Sequence, residues 1–331
     1  SSALSNFIPQ SIFLFVKDEN DLYKYIFILA GTTLLNQLVL WPFLKKEVKF
    51  VKVNKKDIFK HLKPTLILFI PVLATSIYKT MDKIMIGNMS NMAEVGYYEN
   101  AEKILNIIMS VISALGTVTL PQMTYLYSKN NKEEFNKIFE KSILFIFFIV
   151  FPVIFGFWTT ADDLVSIYLG DGFSESALLL RLLSISLPFS TIASIVRMQL
   201  LIPRSKDKEY IVSVVLGAII NFIFNIFLIG RFKAAGATIG TILAEAVVCI
   251  TQCYYIRKEL PIKEYGRKII PFIIKSILMF IVVMIVGRVI NEQLVRLIVQ
   301  GLVGVVIYAL LNITFIKEQI KSLFNKKISK A

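Results

Sequence analysis

Residues 210–229 read YIVSVVLGAIINFIFNIFLI, a stretch of twenty residues without one charged side chain. A helix of about 20 apolar residues is long enough to cross the hydrocarbon core of a bilayer. Further apolar stretches of spanning length lie at 23–44, 64–87, 101–128, 142–160, 176–202, 234–256, 269–288 and 294–316. A shorter one, 3–16, is interpreted as a helix of which only the end is present. Since an open sheet leaves unpaired backbone groups in lipid, the sequence predicts an all-α integral membrane protein with about ten transmembrane helices.

The distribution of charge predicts how these helices are oriented. Hydrophobic residues make up 56% of the 331-residue chain, and the formal net charge is +14. Such a charge can indicate nucleic-acid binding, but the basic residues here concentrate in every second connecting segment. The basic segments are 45–63, 129–141, 203–209, 257–268 and 317–331, and they alternate with 17–22, 88–100, 161–175, 230–235 and 288–296. Because basic loops stay in the cytoplasm, we predict a cytoplasmic C-terminus, contact with anionic membrane lipids and no nucleic-acid partner.

Three ionisable residues lie deep within the predicted spans: Lys79, Asp82 and Glu245. A charged side chain at the centre of a membrane helix costs roughly 2.5–3.5 kcal/mol on insertion scales. Lys79 and Asp82 are three residues apart and share a helix face, so they could pair. Two interpretations are open, namely salt bridges that hold the helices together and a polar cavity for a charged substrate. The general behaviour of intramembrane charges favours the cavity.

Four further polar residues lie within the predicted spans. Arg181 and Arg197 are each within about 10 Å of a span end, so their side chains can reach the membrane surface. Asn221 and Asn225 share one helix face. For the asparagines, hydrogen bonding between helices is favoured over contact with a substrate.

The sequence lacks the motifs that are typical of enzymes. The single histidine, His61, lies in a basic segment, and no Ser–His–Asp set, HExxH motif or phosphate-binding glycine loop occurs. Cys249 and Cys253 are the only cysteines, and they lie four residues apart in an apolar span without a histidine nearby. We therefore predict no catalytic activity, no metal site and no cofactor.

A series of short motifs runs in a constant order from the third to the eighth predicted span. It comprises Pro71, Asp82–Gly87 (DKIMIG), Glu94–Tyr98 (EVGYY), Ala101, Lys103-Ile104, Pro121, Gly170, Phe173, Ala177, Pro188, Leu201-Ile202-Pro203, Lys206, Asn221, Asn225, Leu228-Ile229, Gly236-Ala237, Gly240-Thr241 and Ala244-Glu245. In these residues the chain resembles the polysaccharide flippases, of the Wzx type, in the multidrug/oligosaccharidyl-lipid/polysaccharide exporter superfamily.

The resemblance implies two six-helix lobes that face each other across a central cavity, followed by two further helices. Residues 1–44 would then end an incomplete N-terminal lobe, and 45–63 would form a basic cytoplasmic loop. Residues 64–256 would form the C-terminal six-helix lobe, 257–316 the two further spans, and 317–331 a basic cytoplasmic tail. The first four helices of the family pattern would be missing from this chain.

The resemblance also implies a function. Flippases of this kind move oligosaccharide repeat units on an undecaprenyl diphosphate carrier across the bacterial cytoplasmic membrane, by alternating access, for surface polysaccharide synthesis. Lys79, Arg181 and Arg197 would bind the diphosphate, with Lys79 the first choice. Asp82 or Glu245 would couple transport to an ion gradient. A polysaccharide polymerase and glycosyltransferases would be partners of the pathway.

Two functions of other kinds are alternatives. A drug/cation antiporter of the same superfamily would be expected to carry mainly acidic residues in its cavity, whereas Lys and Arg outnumber the acids in these spans. A membrane polymerase or ligase generally needs a large outer loop, and no predicted outer loop here exceeds about 15 residues. A scaffold without transport activity is a third alternative.

Overall fold

The structure, a computed structural model, describes residues 54–257 and 262–328 together with helical residues between 23 and 38. The chain divides into two units, residues 1–65 and 66–331. The described part of the first unit consists of the helical residues between 23 and 38 and the beginning of the helix that starts at Lys55. The remaining helices all belong to the second unit.

The described residues form helices joined by short connections, without a strand among them. In chain order the helices are α1 (Lys55–Met89), α2 (Met92–Ser128), α3 (Lys132–Leu169), α4 (Glu175–Ser184), α5 (Leu187–Ile195), α6 (Asp207–Ile256), α7 (Ile262–Val289), α8 (Gln293–Leu311) and α9 (Ile313–Ile328). The prediction of an all-α protein is confirmed.

Several of these helices are long and apolar enough to cross a membrane. In the part of the chain that the structure describes, five pass by length and composition: α2, α3, α6, α7 and α8. Helix α4 and Leu187–Arg204, bent by 45° at the break between them, pass the same test as a pair, which makes six if the pair forms one span. The chain is therefore a multi-pass membrane protein. The first two predicted spans fall mostly outside the described residues, so the total of about ten spans stays a prediction.

The long helix α6 is two antiparallel arms. Lys233 has φ 51° and ψ −131°, which interrupts the helix. The two arms on either side of Lys233 pack against each other. The contact is seen far from the turn, where the Gln252 side-chain amide donates to Ser213 Oγ over 3.1 Å. A Cβ on Gly236 would lie 2.5 Å from the Leu228 carbonyl oxygen. The arms, 207–232 and 234–256, match the two spans predicted at 210–229 and 234–256.

A disulfide cross-link tests this hairpin. With Cys249 and Cys253 replaced by Ala, we expect the pair Ser213→Cys and Gln252→Cys to form a disulfide on mild oxidation. Their side chains are in contact across the two arms. The control pair combines Ser213→Cys with Thr238→Cys, which lies about 20 Å further along the second arm, and should stay reduced. Thiol alkylation followed by gel mobility measures both; equal reactivity of the two pairs would contradict the hairpin.

The sixth predicted span, 176–202, is broken rather than continuous. Helix α4 ends at Ser184, and α5 begins at Leu187 with Pro188 in its first turn. Proline has no backbone N–H, so Pro188 cannot donate the helical hydrogen bond to the carbonyl of Ser184, where α4 ends, and its ring crowds that carbonyl. After α5 the backbone winds as a π-helix over Val196–Leu201. The span therefore changes direction inside the membrane.

The final predicted span and the basic segments also differ from expectation. The span predicted at 294–316 ends at Leu311, and α9 then extends through most of the predicted tail. In the same way, the predicted basic loop 45–63 is helical from Lys55 onwards. Lys, Glu and Gln are good helix formers, so the charged residues from Lys317 onwards continue α9 and do not end it.

The connecting segments gather at two ends of the bundle. Tyr97 and Phe173 pack edge to face at 5.9 Å, and Lys233 Nζ lies 3.2 Å from Glu94, which joins segments 88–100, 161–175 and 230–235. At the other end the Arg204 guanidinium lies over the Tyr127 and Phe135 rings, and Lys268 Nζ lies 2.5 Å from Glu140. Three basic segments, 129–141, 203–209 and 257–268, thus share one end, and three segments poor in basic residues share the other, as the alternation of charge predicts for them. That the basic end faces the cytoplasm stays a prediction.

Candidate functional site

A buried carboxylate at the junction of α1, α2 and α6 is the centre of the candidate site. Asp82 is only 1% exposed and lies seven residues before the end of α1, about 10 Å along the helix. One carboxylate oxygen accepts hydrogen bonds from Tyr98 Oη at 2.9 Å and Thr241 Oγ1 at 2.8 Å. The other accepts from Asn225 Nδ2 at 2.5 Å. Burial of a carboxylate away from water costs free energy unless hydrogen bonds compensate for it. Asp82 receives such bonds from three side chains.

We call Asp82, Tyr98, Asn221, Asn225 and Thr241 the Asp82 cluster. Asn225 also donates to Asn221 Oδ1 at 3.1 Å, and both asparagines are fully buried on the first arm of α6. Thr241 is on the second arm, so the cluster joins α1, α2 and both arms of the hairpin. Asn225 donates to Asp82 on another helix, whereas Asn221 bonds to Asn225 on its own arm. Whether the two asparagines serve packing or a substrate stays a prediction.

A glycine allows the two arms to approach at this point. A Cβ on Gly240 would overlap Asn225 Oδ1, so only glycine fits there without a shift of the asparagine. Asn225 Oδ1 and Asn221 Nδ2 are buried and have no hydrogen-bond partner among the described residues. The cluster therefore contains oxygen atoms that could accept a proton or act as ligands of a hard cation. A single carboxylate, that of Asp82, lies among them. No group of three or more His, Cys, Asp or Glu residues that could hold a metal occurs in the described ranges.

The structure places the other predicted site residues apart from this cluster. Arg181 lies in α4, and its Nη2 is 2.5 Å from Asp162 Oδ2 on α3. Arg197, sixteen residues later on the bent span, donates to Tyr210 Oη at 3.2 Å, and its guanidinium lies 5.3 Å from the centre of that ring. The two arginines thus lie near opposite ends of the bundle, and each already has a partner. Their binding of a diphosphate stays a prediction.

Two predicted residues cannot be placed in the same detail. The side chain of Lys79 lies outside the described residues, so its pairing with Asp82 is untested. Glu245 is half-buried on the second arm of α6, four residues after Thr241 and on the same helix face. Its position is compatible with a role beside the Asp82 cluster, and that role stays a prediction.

Sequence reasoning missed two members of the cluster. Tyr98 and Thr241 both lie within the motifs that carry the family resemblance, EVGYY and Gly240-Thr241. Their positions beside Asp82 depend on contacts over 16 and 159 residues of sequence. The order of the motifs was the only signal in the sequence that could have associated them.

A cavity of about 440 Å³ lies at the end of the bundle where Glu94 pairs with Lys233. It is lined by residues that include Asn91, Tyr97, Glu175 and Phe232. The Glu94 side chain is 13% exposed, and its carboxylate also accepts from the Ala234 backbone N–H at 3.3 Å. Glu94 therefore fixes the turn between the arms of α6 and, through it, the register in which Thr241 meets Asp82.

Comparison with known proteins shows a consistent kinship. A family model described as "Polysaccharide biosynthesis protein" matches residues 26–178. The chain is similar to Agl15 of Haloferax volcanii, a probable low-salt glycan biosynthesis flippase, with 27% identity over 57% of this chain and 40% of that protein. It is also similar to a proposed O-antigen transporter of Shigella dysenteriae, with 23% identity over 72% of this chain and 60% of that protein.

Among solved structures, the chain resembles a lipid II flippase, MurJ, in an inward closed conformation. The TM-score is 0.72 at 17% identity, and the likeness covers 89% of this chain and 62% of that one. The chain thus spans between 40% and 62% of the length of these three proteins. They are named as flippases and a transporter, not as enzymes, in agreement with the prediction of no catalytic activity. These comparisons support the family resemblance: residues 26–178 match a polysaccharide biosynthesis family, and the chain is similar to proteins named as flippases and an O-antigen transporter.

Proposed function

We propose that the protein moves lipid-linked oligosaccharide repeat units, carried on undecaprenyl diphosphate, across a bacterial cytoplasmic membrane for surface polysaccharide synthesis. The observation that carries the proposal is its sequence kinship to proteins named for glycan and O-antigen transport. The likeness in fold to a flippase supports it. Glycosyltransferases would supply the substrate, and a polymerase would use the product.

The mechanism that fits this fold is alternating access, in which parts of the bundle rock about a central cavity. The Asp82 cluster is the element we assign to ion coupling, because its carboxylate holds α1, α2 and both arms of α6 together. Binding of a proton or cation at Asp82 would remove an acceptor or redirect the donors around it. The contact between α1 and α6 would then change. In this way, binding of the ion at Asp82 would alter how the helices of the bundle pack.

A diphosphate that crosses the membrane needs a cation at membrane depth. Lys79 lies on α1, three residues before Asp82 and further from the helix end. An ammonium group can act as a point charge for a phosphate. We therefore propose Lys79 as the first contact for the diphosphate, with Arg181 and Arg197 near the two ends of the path.

The test is Lys79→Ala in the protein expressed from its complete gene, in cells that lack their own flippase. We expect the export of surface polysaccharide to fall at least about tenfold, since an ionic hydrogen bond to phosphate contributes roughly 1.5–3 kcal/mol. Lys103→Ala is the matched control, because the Lys103 side chain is 58% exposed and pairs with Glu99 on the same helix. Normal export by Lys79→Ala at a normal protein level would contradict the proposed role of Lys79.

A further inference from the structure

A second cavity, of about 330 Å³, lies between α3, α4, α7 and α8. Three arginines line it. The charged and polar lining includes Trp158, Asp162, Arg181, Arg288, Arg296 and Gln300. The cavity is at the end of the bundle opposite segments 129–141, 203–209 and 257–268, and it is not part of the Asp82 cluster.

Two of the three arginines are held by carboxylates. Arg296 makes a bidentate pair with Asp163, with Nε to Oδ2 at 2.6 Å and Nη2 to Oδ1 at 2.5 Å. Arg181 uses one nitrogen, Nη2, on Asp162. These pairs fix the wall of the cavity and balance two positive charges with two negative ones.

The third arginine leaves one positive charge in excess. Arg288 lies in the last turn of α7, is exposed, and has no ion pair or hydrogen bond within the described part of the chain. Its guanidinium presents a planar set of donors that suits a phosphate. An anion bound in this cavity would therefore meet Arg288 as its main partner.

The cavity also contains an unused acceptor. Gln300 is 4% exposed, and its Nε2 donates to the Val283 carbonyl at 3.2 Å, whereas its Oε1 is buried without a partner among the described residues. A Cβ on Gly287 would overlap Gln300 Nε2, so the absence of a side chain there lets Gln300 pack against α7. A buried acceptor without a donor is costly, and a ligand hydroxyl would satisfy it.

The surroundings indicate that the ligand is a lipid. Trp158 is 44% exposed and lies one turn before Asp162. Tryptophan is enriched in membrane proteins at the level of the lipid headgroups. Apolar side chains beside the cavity are open to the surroundings, among them Ile285 at 55% and Val289 at 77%. Acyl chains can therefore lie against α7 while the headgroup enters the cavity.

We propose that this cavity binds the phosphate headgroup of a glycerophospholipid, with Arg288 as the ligand of the phosphate and Gln300 as the acceptor for a headgroup hydroxyl. The proposal goes beyond the transport function, because the ligand is a membrane lipid and its phosphate would bind Arg288, which has no part in the proposed transport path. Arg181, placed at one end of that path, also lines the cavity, but there its Nη2 is held by Asp162. The bound lipid would pack between the C-terminal pair α7 and α8 and the wall formed by α3 and α4.

Native mass spectrometry of the purified protein tests the site. We expect phosphatidylglycerol to bind and Arg288→Ala to weaken that binding by roughly tenfold or more. Arg288→Lys, which keeps the charge, should retain most of the affinity. Arg267→Ala is the matched control, since Arg267 is exposed on the same helix at its other end.

Three results would overturn the proposal. Equal binding of diacylglycerol, which has the same tails without the phosphate, would show that the headgroup is not recognised. Binding of inorganic phosphate with the same dependence on Arg288 and no preference for the lipid would make the ligand a free anion. An equal loss in Arg267→Ala would reduce the effect to general attraction between the protein and an anionic lipid.

Discussion

Replacement of Asp82 by Asn is expected to reduce polysaccharide export by at least about tenfold while the protein remains folded. The carboxylate accepts three hydrogen bonds, and an amide at this position turns one acceptor into a donor that faces Asn225 Nδ2. Each buried donor that loses its acceptor costs about 1–3 kcal/mol. The loss of the negative charge also removes the group that would bind the coupling ion. Surface polysaccharide in flippase-deficient cells is the measurement.

The matched control for this change is Asp171→Asn. Asp171 lies in the short turn between α3 and α4, where its Oδ1 accepts from Ser166 Oγ, an exposed contact. We expect export by this variant to be unchanged. If Asp82→Asn exports normally, the coupling role of the Asp82 cluster is wrong. If the variant is absent from the membrane, the expectation that it remains folded is wrong, and the cluster is needed for stability.

Gly236→Ala is expected to lower the thermal stability of the bundle markedly. The new Cβ would lie 2.5 Å from the carbonyl oxygen and 2.6 Å from the carbonyl carbon of Leu228, on the opposite arm of α6. Backbone atoms cannot rotate away as a side chain can, so the arms must separate. Overpacking of this kind costs typically about 1–3 kcal/mol. Thermal unfolding followed by fluorescence-detected size exclusion measures the change.

Gly266→Ala provides the control for the methyl group itself. A Cβ on Gly266 has no neighbour within 4 Å, although the residue also lies in a long helix. We expect its unfolding temperature to stay the same or to rise slightly, because Ala favours helix more than Gly does. A Gly236→Ala variant as stable as Gly266→Ala would mean that the arms of α6 are not packed as described.

Much of the fold could be predicted because the bilayer imposes a length and a composition on each helix. Residues 210–229 and 234–256 are apolar, and the segment between them carries Arg231 and Lys233. That pattern was sufficient to predict two spans, although helical structure continues through both and is interrupted only at Lys233. The break before Pro188 and the helical continuation after Asn312 were harder to predict, since they depend on backbone geometry and not on hydropathy.

The candidate site was less accessible to sequence reasoning. Asp82 stood out because it is ionisable within a span, and Lys79 was the nearest partner on the same helix. The partners in the structure are Tyr98, Asn225 and Thr241, which lie 16, 143 and 159 residues away. Contacts between helices that are distant in sequence leave no local pattern. The sequence can therefore show that a charged residue lies in a span without showing which side chains hydrogen-bond to it.

The most direct test of the proposed function is a leaflet assay with purified protein in liposomes. The protein, expressed from its complete gene, would be reconstituted with a lipid-linked oligosaccharide whose sugar is oxidised by an impermeant reagent added outside. We predict that the protected inner pool becomes accessible with time, and that Asp82→Asn slows this at least about tenfold. Access no faster than in protein-free liposomes, with folded protein present at the same density, would contradict the assignment of this protein as a flippase.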